Sequence, residues 1–112
     1  MNKIIDKVWG HEEILISNEL YAAKLMHLKR DYRCSIHRHR KKDETFYIMS
    51  GVVELEFNGK PRTMETGDSI RIKPCDYHRF TGITDSVILE VSTADDPNDS
   101  YRHSQSEKVP GK

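Results

Sequence analysis

His37-Arg38-His39-Arg40-Lys41-Lys42-Asp43-Glu44, answered by His78 thirty-four residues beyond Glu44, is the stretch that decides the fold. Alternate residues of a β-strand share a face, so His37 and His39 point together. Glu44 follows a charged turn and can come back from the neighbouring strand. His78 must arrive from a distant part of the chain. A barrel can gather all four at its mouth, and a helix could not do so from this spacing. Three imidazoles and one carboxylate suit Zn, Mn, Fe, Ni or Cu, and an incomplete protein shell leaves room for a substrate. The expected metal ligands are therefore His37, His39, Glu44 and His78.

Outward from this stretch the chain reads as short strands: Tyr21 to Lys29, Tyr32 to His39, Thr45 to Met49 and Val52 to Phe57. In the last of these Val53, Leu55 and Phe57 alternate with Glu54 and Glu56, the mark of a half-buried strand. Asn58-Gly59 is a strong hairpin signal, because both residues accept the positive φ of a tight turn. Arg62 to Met64 returns, Thr66-Gly67-Asp68 turns again, Ile70 to Lys73 alternates before Pro74, and Ser86 to Val91 is the last strand. Helical periodicity is weak; the candidates are a turn near Trp9 to Ile14 and something short in the tail. The expected fold is all-β, a small antiparallel sandwich or barrel. From Ala94 the composition turns polar, so 1–93 is read as the barrel and 94–112 as an extended arm or a partly disordered tail.

At 112 residues, with 36% hydrophobic and 32% charged side chains, the chain is one domain with a modest core. Eighteen basic side chains balance eighteen acidic ones, which gives no support to a nucleic-acid or membrane-surface binder. The run Arg38 to Lys42 is the local exception, read as a solvated turn between strands in preference to a phosphate patch. No apolar run approaches a membrane span, and the N-terminus lacks the apolar core of a signal peptide, so the expected compartment is the cytoplasm. Cys34 and Cys75 make neither a zinc-ribbon pair nor a disulfide framework and are read as reduced thiols. Strand parity places Cys34 opposite His37.

These residues resemble the two motifs of the cupin superfamily. The first, H-x-H-(x)4-E-(x)6-G, falls around 31–51 on His37, His39, Glu44 and Gly51. The second, around 67–82, runs from Gly67 to His78 and Gly82, with Cys75 at the usual glycine and Lys73 at the usual proline. The resemblance implies a jelly-roll β-barrel and a bound divalent metal. Val8-Trp9-Gly10-His11-Glu12-Glu13, Lys24 to Lys29 and Lys41 to Gly51 are further similar to the cupin domain of type II mannose-6-phosphate isomerases. That likeness implies an aldose–ketose isomerase acting on a sugar or sugar phosphate, with a metal stabilising the enediolate that forms when a proton leaves the carbon next to the carbonyl.

Such chemistry needs a base and a substrate clamp. Lys24 shares parity with Met26 and Leu28, while Arg33 and Ser35 share the face of the histidines, so Lys24, Arg33 and Ser35 are the expected substrate contacts. An inward Lys or Arg is costly unless it meets an anion. The base is not named; Glu90 and His27 are candidates on undetermined faces. Trp9 is read as a core plug. Two other functions stay open: a non-enzymatic module binding a sugar or metabolite, and an Fe(II)-dependent dioxygenase. Cupin relatives pair through their sheets, and Ile36 and Ile88, taken as outward-facing, point to a homodimer.

Overall fold

The computed structural model describes residues 2–112. Eleven strands precede the tail: β1 (Lys3–Lys7), β2 (Gly10–Ser17), β3 (Tyr21–Leu28), β4 (Tyr32–Arg33), β5 (His37–His39), β6 (Glu44–Ser50), β7 (Val52–Phe57), β8 (Lys60–Glu65), β9 (Ser69–Ile72), β10 (His78–Gly82) and β11 (Ser86–Thr93). A 3-10 turn at Pro97–Asp99 and two short strands, β12 (Ser100–Arg102) and β13 (Glu107–Lys108), complete the chain. One sheet runs β1-β2-β3-β11-β6-β9, and the second runs β12-β5-β10-β4-β13, with β7 on β10 and β8 on β7. The strand pairs are antiparallel throughout. The two sheets close as a jelly roll, the all-β barrel that the alternating pattern predicts.

The inner faces pack Trp9, Met26, Leu28, Cys34, Phe46, Ile48, Val53, Leu55, Met64, Ile72, Phe80 and Ile88 into one core. Trp9 plugs it, set edge-on to Phe80 with ring centroids 5.2 Å apart. The Asn58-Gly59 hairpin forms as expected: φ is +49° and +82°, and Phe57 pairs with Lys60 across a two-residue turn. Gly51 has φ +88°, and a Cβ there would lie 2.3 Å from Ser86 Oγ, so the motif glycine is required by both backbone and space. Cys75, at the other motif glycine's position, adopts the same left-handed region at φ +73°.

Three expectations need correction. The segment after Trp9 is not helical: Gly10–Ser17 pairs with β1 and β3, and its charged, half-buried residues hide the alternation. Tyr32 to His39 is not one strand, because β4 and β5 are separated at Cys34, Ser35 and Ile36. Parity does not carry across that break, so Cys34 enters the core on the side the histidines also face, and the shared face inferred for Arg33 is lost. Ile88 points inward, 1% exposed, since β11 turns Ser86, Ile88 and Glu90 to the interior. Of the two alternatives for the tail, the structure shows the arm, which adds to the second sheet: β12 pairs with β5 and β13 with β4.

Candidate metal centre

β5 carries His37 and His39, β6 begins at Glu44, and β10 begins at His78, which lies opposite His37 in register. The three imidazoles converge so that one ligand atom from each lies within 4.8 Å of the others. Each Nδ1 meets a backbone carbonyl: His37 with Ser35 O at 2.8 Å, His39 with Asp99 O at 3.1 Å, and His78 with Asp76 O at 3.1 Å. A carbonyl only accepts, so each Nδ1 carries a proton, and each ring in its neutral form presents its Nε2 lone pair. This is how ligating histidines are oriented. Burial, with His78 beside it, holds His37 down to about 3, and burial also lowers His39, so both are neutral at neutral pH.

Glu44, 1% exposed at its side chain, lies against two of the three: Oε1 is 3.3 Å from His78 Nε2 and Oε2 is 3.7 Å from His39 Nε2. Burial works to raise its pKa, but the adjacent His78 and the Lys42 ammonium prevail and bring it to about 2. Glu44 Oε2 and His78 Nε2 are buried with no hydrogen-bond partner. Leaving such groups unpaired is costly, and a cation between them would satisfy both. The donor set, the fixed tautomers and the orphaned atoms therefore fit a divalent metal.

Behind Glu44 lies a chain of buried charges. Lys42, 4% exposed, places Nζ 3.4 Å from Glu44 Oε2, 2.9 Å from Glu90 and 2.9 Å from Asp95. Lys24 reaches Glu12 at 3.1 Å and Glu90 and Asp95 at 3.7 Å each. Burial opposes the charge on both lysines, yet Glu90 and its fellow carboxylates outweigh it and raise both pKa values. Glu90 is raised, chiefly by burial and then by Glu44. Asp95 is lowered, the two lysines overcoming its burial.

Of the expected contacts, Lys24 does face the interior, but the anions it meets belong to the protein. Arg33 bonds to Glu107 of the tail, with Nη2 2.6 Å from Oε2, and so its charge is compensated away from the histidines. Ser35 is buried and supplies the carbonyl that orients His37. The cysteines are free, and Cys34, pushed up to about 12 by burial, accepts the Phe80 N–H rather than joining the centre. His27 stacks on His11 with centroids 4.3 Å apart and lines a cleft with Lys29 and Asp85, apart from the metal centre.

Three groups were missed. Lys42 was placed in a solvated turn, although it shares parity with Glu44 and that signal was available. Asp99 accepts the backbone N–H groups of Arg40, Lys41 and Lys42 and lends its carbonyl to His39, which no local pattern foretells. Asp95 likewise arrives from the tail.

A two-sheet barrel with three inward histidines and a glutamate at one end defines a small β-barrel whose donor set could hold a metal ion. The Cupin domain model matches residues 24–92, and the chain belongs to the cupin family. Among solved structures it is similar to KdgF from Halomonas sp., with 18% identity over 86% of this chain and 89% of that one and a TM-score of 0.79. It is also similar to an RmlC-like cupin from Shewanella frigidimarina, with 17% identity over 88% of each chain and a TM-score of 0.80. A Streptomyces nucleoside dehydratase solved with uridine shares 14% identity over 93% of this chain and 85% of that one, with a TM-score of 0.80. Identities this low establish the fold alone. Among curated proteins no sequence matches. No helix of the described residues is long and apolar enough to cross a membrane.

Proposed function

We propose that this cupin binds a divalent metal through His37, His39, Glu44 and His78 and acts as an aldose–ketose isomerase on a sugar or sugar phosphate, in the manner of type II mannose-6-phosphate isomerases. The observation that carries the reading is the set of three Nδ1–H···O=C bonds, which leaves three Nε2 atoms free to ligate at one place beside the orphaned Glu44 Oε2. A divalent ion there would polarise a carbonyl and stabilise the negative charge that builds on oxygen when a neighbouring C–H proton leaves.

The proton carrier we assign is Glu90. Of the buried carboxyls outside the ligand set, Glu12 is taken up by Lys24 and Asp99 by backbone N–H groups, while the raised pKa of Glu90 suits a group that must take and return a proton. His27, the other candidate, stands with His11 away from the centre. Lys42 holds Glu90 and Glu44 in fixed relation at 2.9 and 3.4 Å. The polar, charged interior disfavours the Fe(II) oxygenase reading. The nucleoside dehydratase among its structural neighbours keeps other proton-abstracting chemistry on oxygen-rich substrates next in line.

The test is nuclear magnetic resonance of metal-loaded protein in deuterated water with mannose 6-phosphate, fructose 6-phosphate and their unphosphorylated sugars. Deuterium incorporation at C2 with aldose–ketose interconversion, lost in Glu90→Gln while metal is retained, is the expected result. Binding without exchange makes the protein a binding module, and dioxygen consumption makes it an oxygenase. We assign the homodimer to the outer face of the first sheet, where Leu25, Leu89 and Tyr47 line up in register beside exposed Val91. Light scattering should then report a dimer that Val91→Glu converts to monomer.

A further inference from the structure

Buried Lys42 and part-buried Lys24, behind the histidines, hold a carboxylate that the fold does not need there. Lys24 has a strand-borne partner in Glu12, and Lys42 has one in Glu90. Asp95 is different. It lies between β11 and the 3-10 turn, outside any regular element, and its side chain is 40% exposed. Its oxygens are divided between the two ammoniums, Oδ1 at 2.9 Å from Lys42 Nζ and Oδ2 at 3.7 Å from Lys24 Nζ. A carboxylate or phosphate of a ligand would be held in the same way. The neighbouring turn does not depend on it, because Asp96 caps that turn by accepting the Asn98 N–H.

Charge points the same way. With a divalent ion at the histidines, Glu12, Glu44, Glu90 and Asp95 face Lys24, Lys42 and the ion, and the part-exposed Lys7, 3.8 Å from Glu12, adds a further positive charge at the edge. Without Asp95 the positive charge exceeds the negative in a largely buried place, which favours an incoming anion. We propose that Lys24 and Lys42 form an anion subsite beside the metal, with Asp95 as its built-in occupant, and that a carboxylate or phosphate of the substrate displaces Asp95. This deepens the metal reading above and rests on it: the substrate is an anionic carbohydrate, and a neutral sugar leaves the subsite to Asp95.

The experiment uses the full chain as wild type, Asp95→Asn, Asp95→Ala and Asp95→Asn/Lys24→Gln. Calorimetry first measures metal binding by each, then the binding of inorganic phosphate and of acetate by the metal-loaded forms. Both Asp95 variants should bind the better-suited anion more tightly than wild type, on the order of tenfold, and Lys24→Gln should cancel the gain. Preference for phosphate identifies a sugar phosphate, and preference for acetate identifies a sugar acid. Intact metal binding with no gain overturns the subsite alone, as does a gain that survives Lys24→Gln, which would place the anion on the metal. Absence of metal binding in the wild type overturns the metal reading and the subsite with it.

Discussion

Replacing Lys42 by Met would show whether the charge chain behind the histidines is a buried network or a wetted surface feature. The side chain is 4% exposed, and its strongest partners, Glu90 and Glu44, are 6% and 1% exposed. Asp95, 40% exposed, can return to water and contributes little. Methionine fills much of the lysine stem's volume, so the packing loss is small. What remains is two carboxylates without their shared cation in a low-dielectric interior. Removing one partner of a buried pair costs about 3–5 kcal/mol, and the partial shelter Lys24 still gives Glu90 places the expected loss near the lower end, about 3 kcal/mol. In urea, with a slope of roughly 1.5 kcal/mol/M for a domain of this size, the midpoint of the metal-free protein falls by about 2 M. Glu90→Gln in the same chain removes one stranded charge and should return part of the loss, a coupling above about 1 kcal/mol in a double-mutant cycle. Added divalent metal should also narrow the gap, because the ion replaces the missing positive charge beside Glu44. A loss below about 1 kcal/mol in Lys42→Met, the value of an exposed pair, would refute the burial argument.

His37→Ala and His78→Ala should each abolish near-stoichiometric metal, read by elemental mass spectrometry on protein purified without chelator; metal retained in either variant removes that residue from the ligand set. His37 is held at about 3 in the fold against an ordinary value of 6.5, so the unfolded chain takes up its proton first. The stability from that neutral ring is full above pH 6.5 and is lost as pH falls toward 3, at up to about 1.4 kcal/mol per pH unit. Urea midpoints of metal-free protein should drop across that window and flatten in His37→Ala; identical profiles would contradict the burial assigned to the ring. Cys34, buried and pushed up to about 12, should resist alkylation while exposed Cys75 reacts. Mass spectrometry should find one modified thiol in native protein and two after denaturation, and two in the native state would place Cys34 outside the core.

How much was legible follows from how local each signal is. Strand parity placed Val53, Leu55, Met26 and Leu28 inward, and turn chemistry placed Asn58-Gly59, because both rules act within a few residues. The His37, His39 and Glu44 spacing is local in the same sense, while His78 comes from a distant strand; β5, β6 and β10 begin at His37, Glu44 and His78 and so bring those residues to one end of the barrel. Parity misled wherever a strand was interrupted. Arg33 and Cys34 were misplaced by counting through the break at 34–36, and Ile88 was assigned to the wrong face of an unbroken strand. A single irregular residue reverses the face of everything beyond it, and composition carries no mark of where such a residue lies.

The tail shows why a polar segment that cannot build a core can still govern a site. Between β4 and β5 the backbone N–H groups of Ser35 and Ile36 have no strand partner, and they donate to Ser106 Oγ and Ser104 Oγ. Arg79 donates to both the Cys34 carbonyl and Ser104 Oγ, tying β10 to the same break. Asp99 caps the loop that carries Lys42 and fixes the tautomer of His39, and Asp95 holds the two interior lysines. The contacts of Ser104, Ser106 and Asp99 satisfy donors that the barrel alone would leave unpaired, next to the histidines and not in the hydrophobic core. A serine- and aspartate-rich composition is therefore what this position demands, since the groups it must meet are backbone amides and ammoniums. Burial of apolar surface, the quantity by which a sequence reading ranks segments, is blind to that role, and so 94–112 reads as an arm or a disordered tail while it supplies acceptors to the centre.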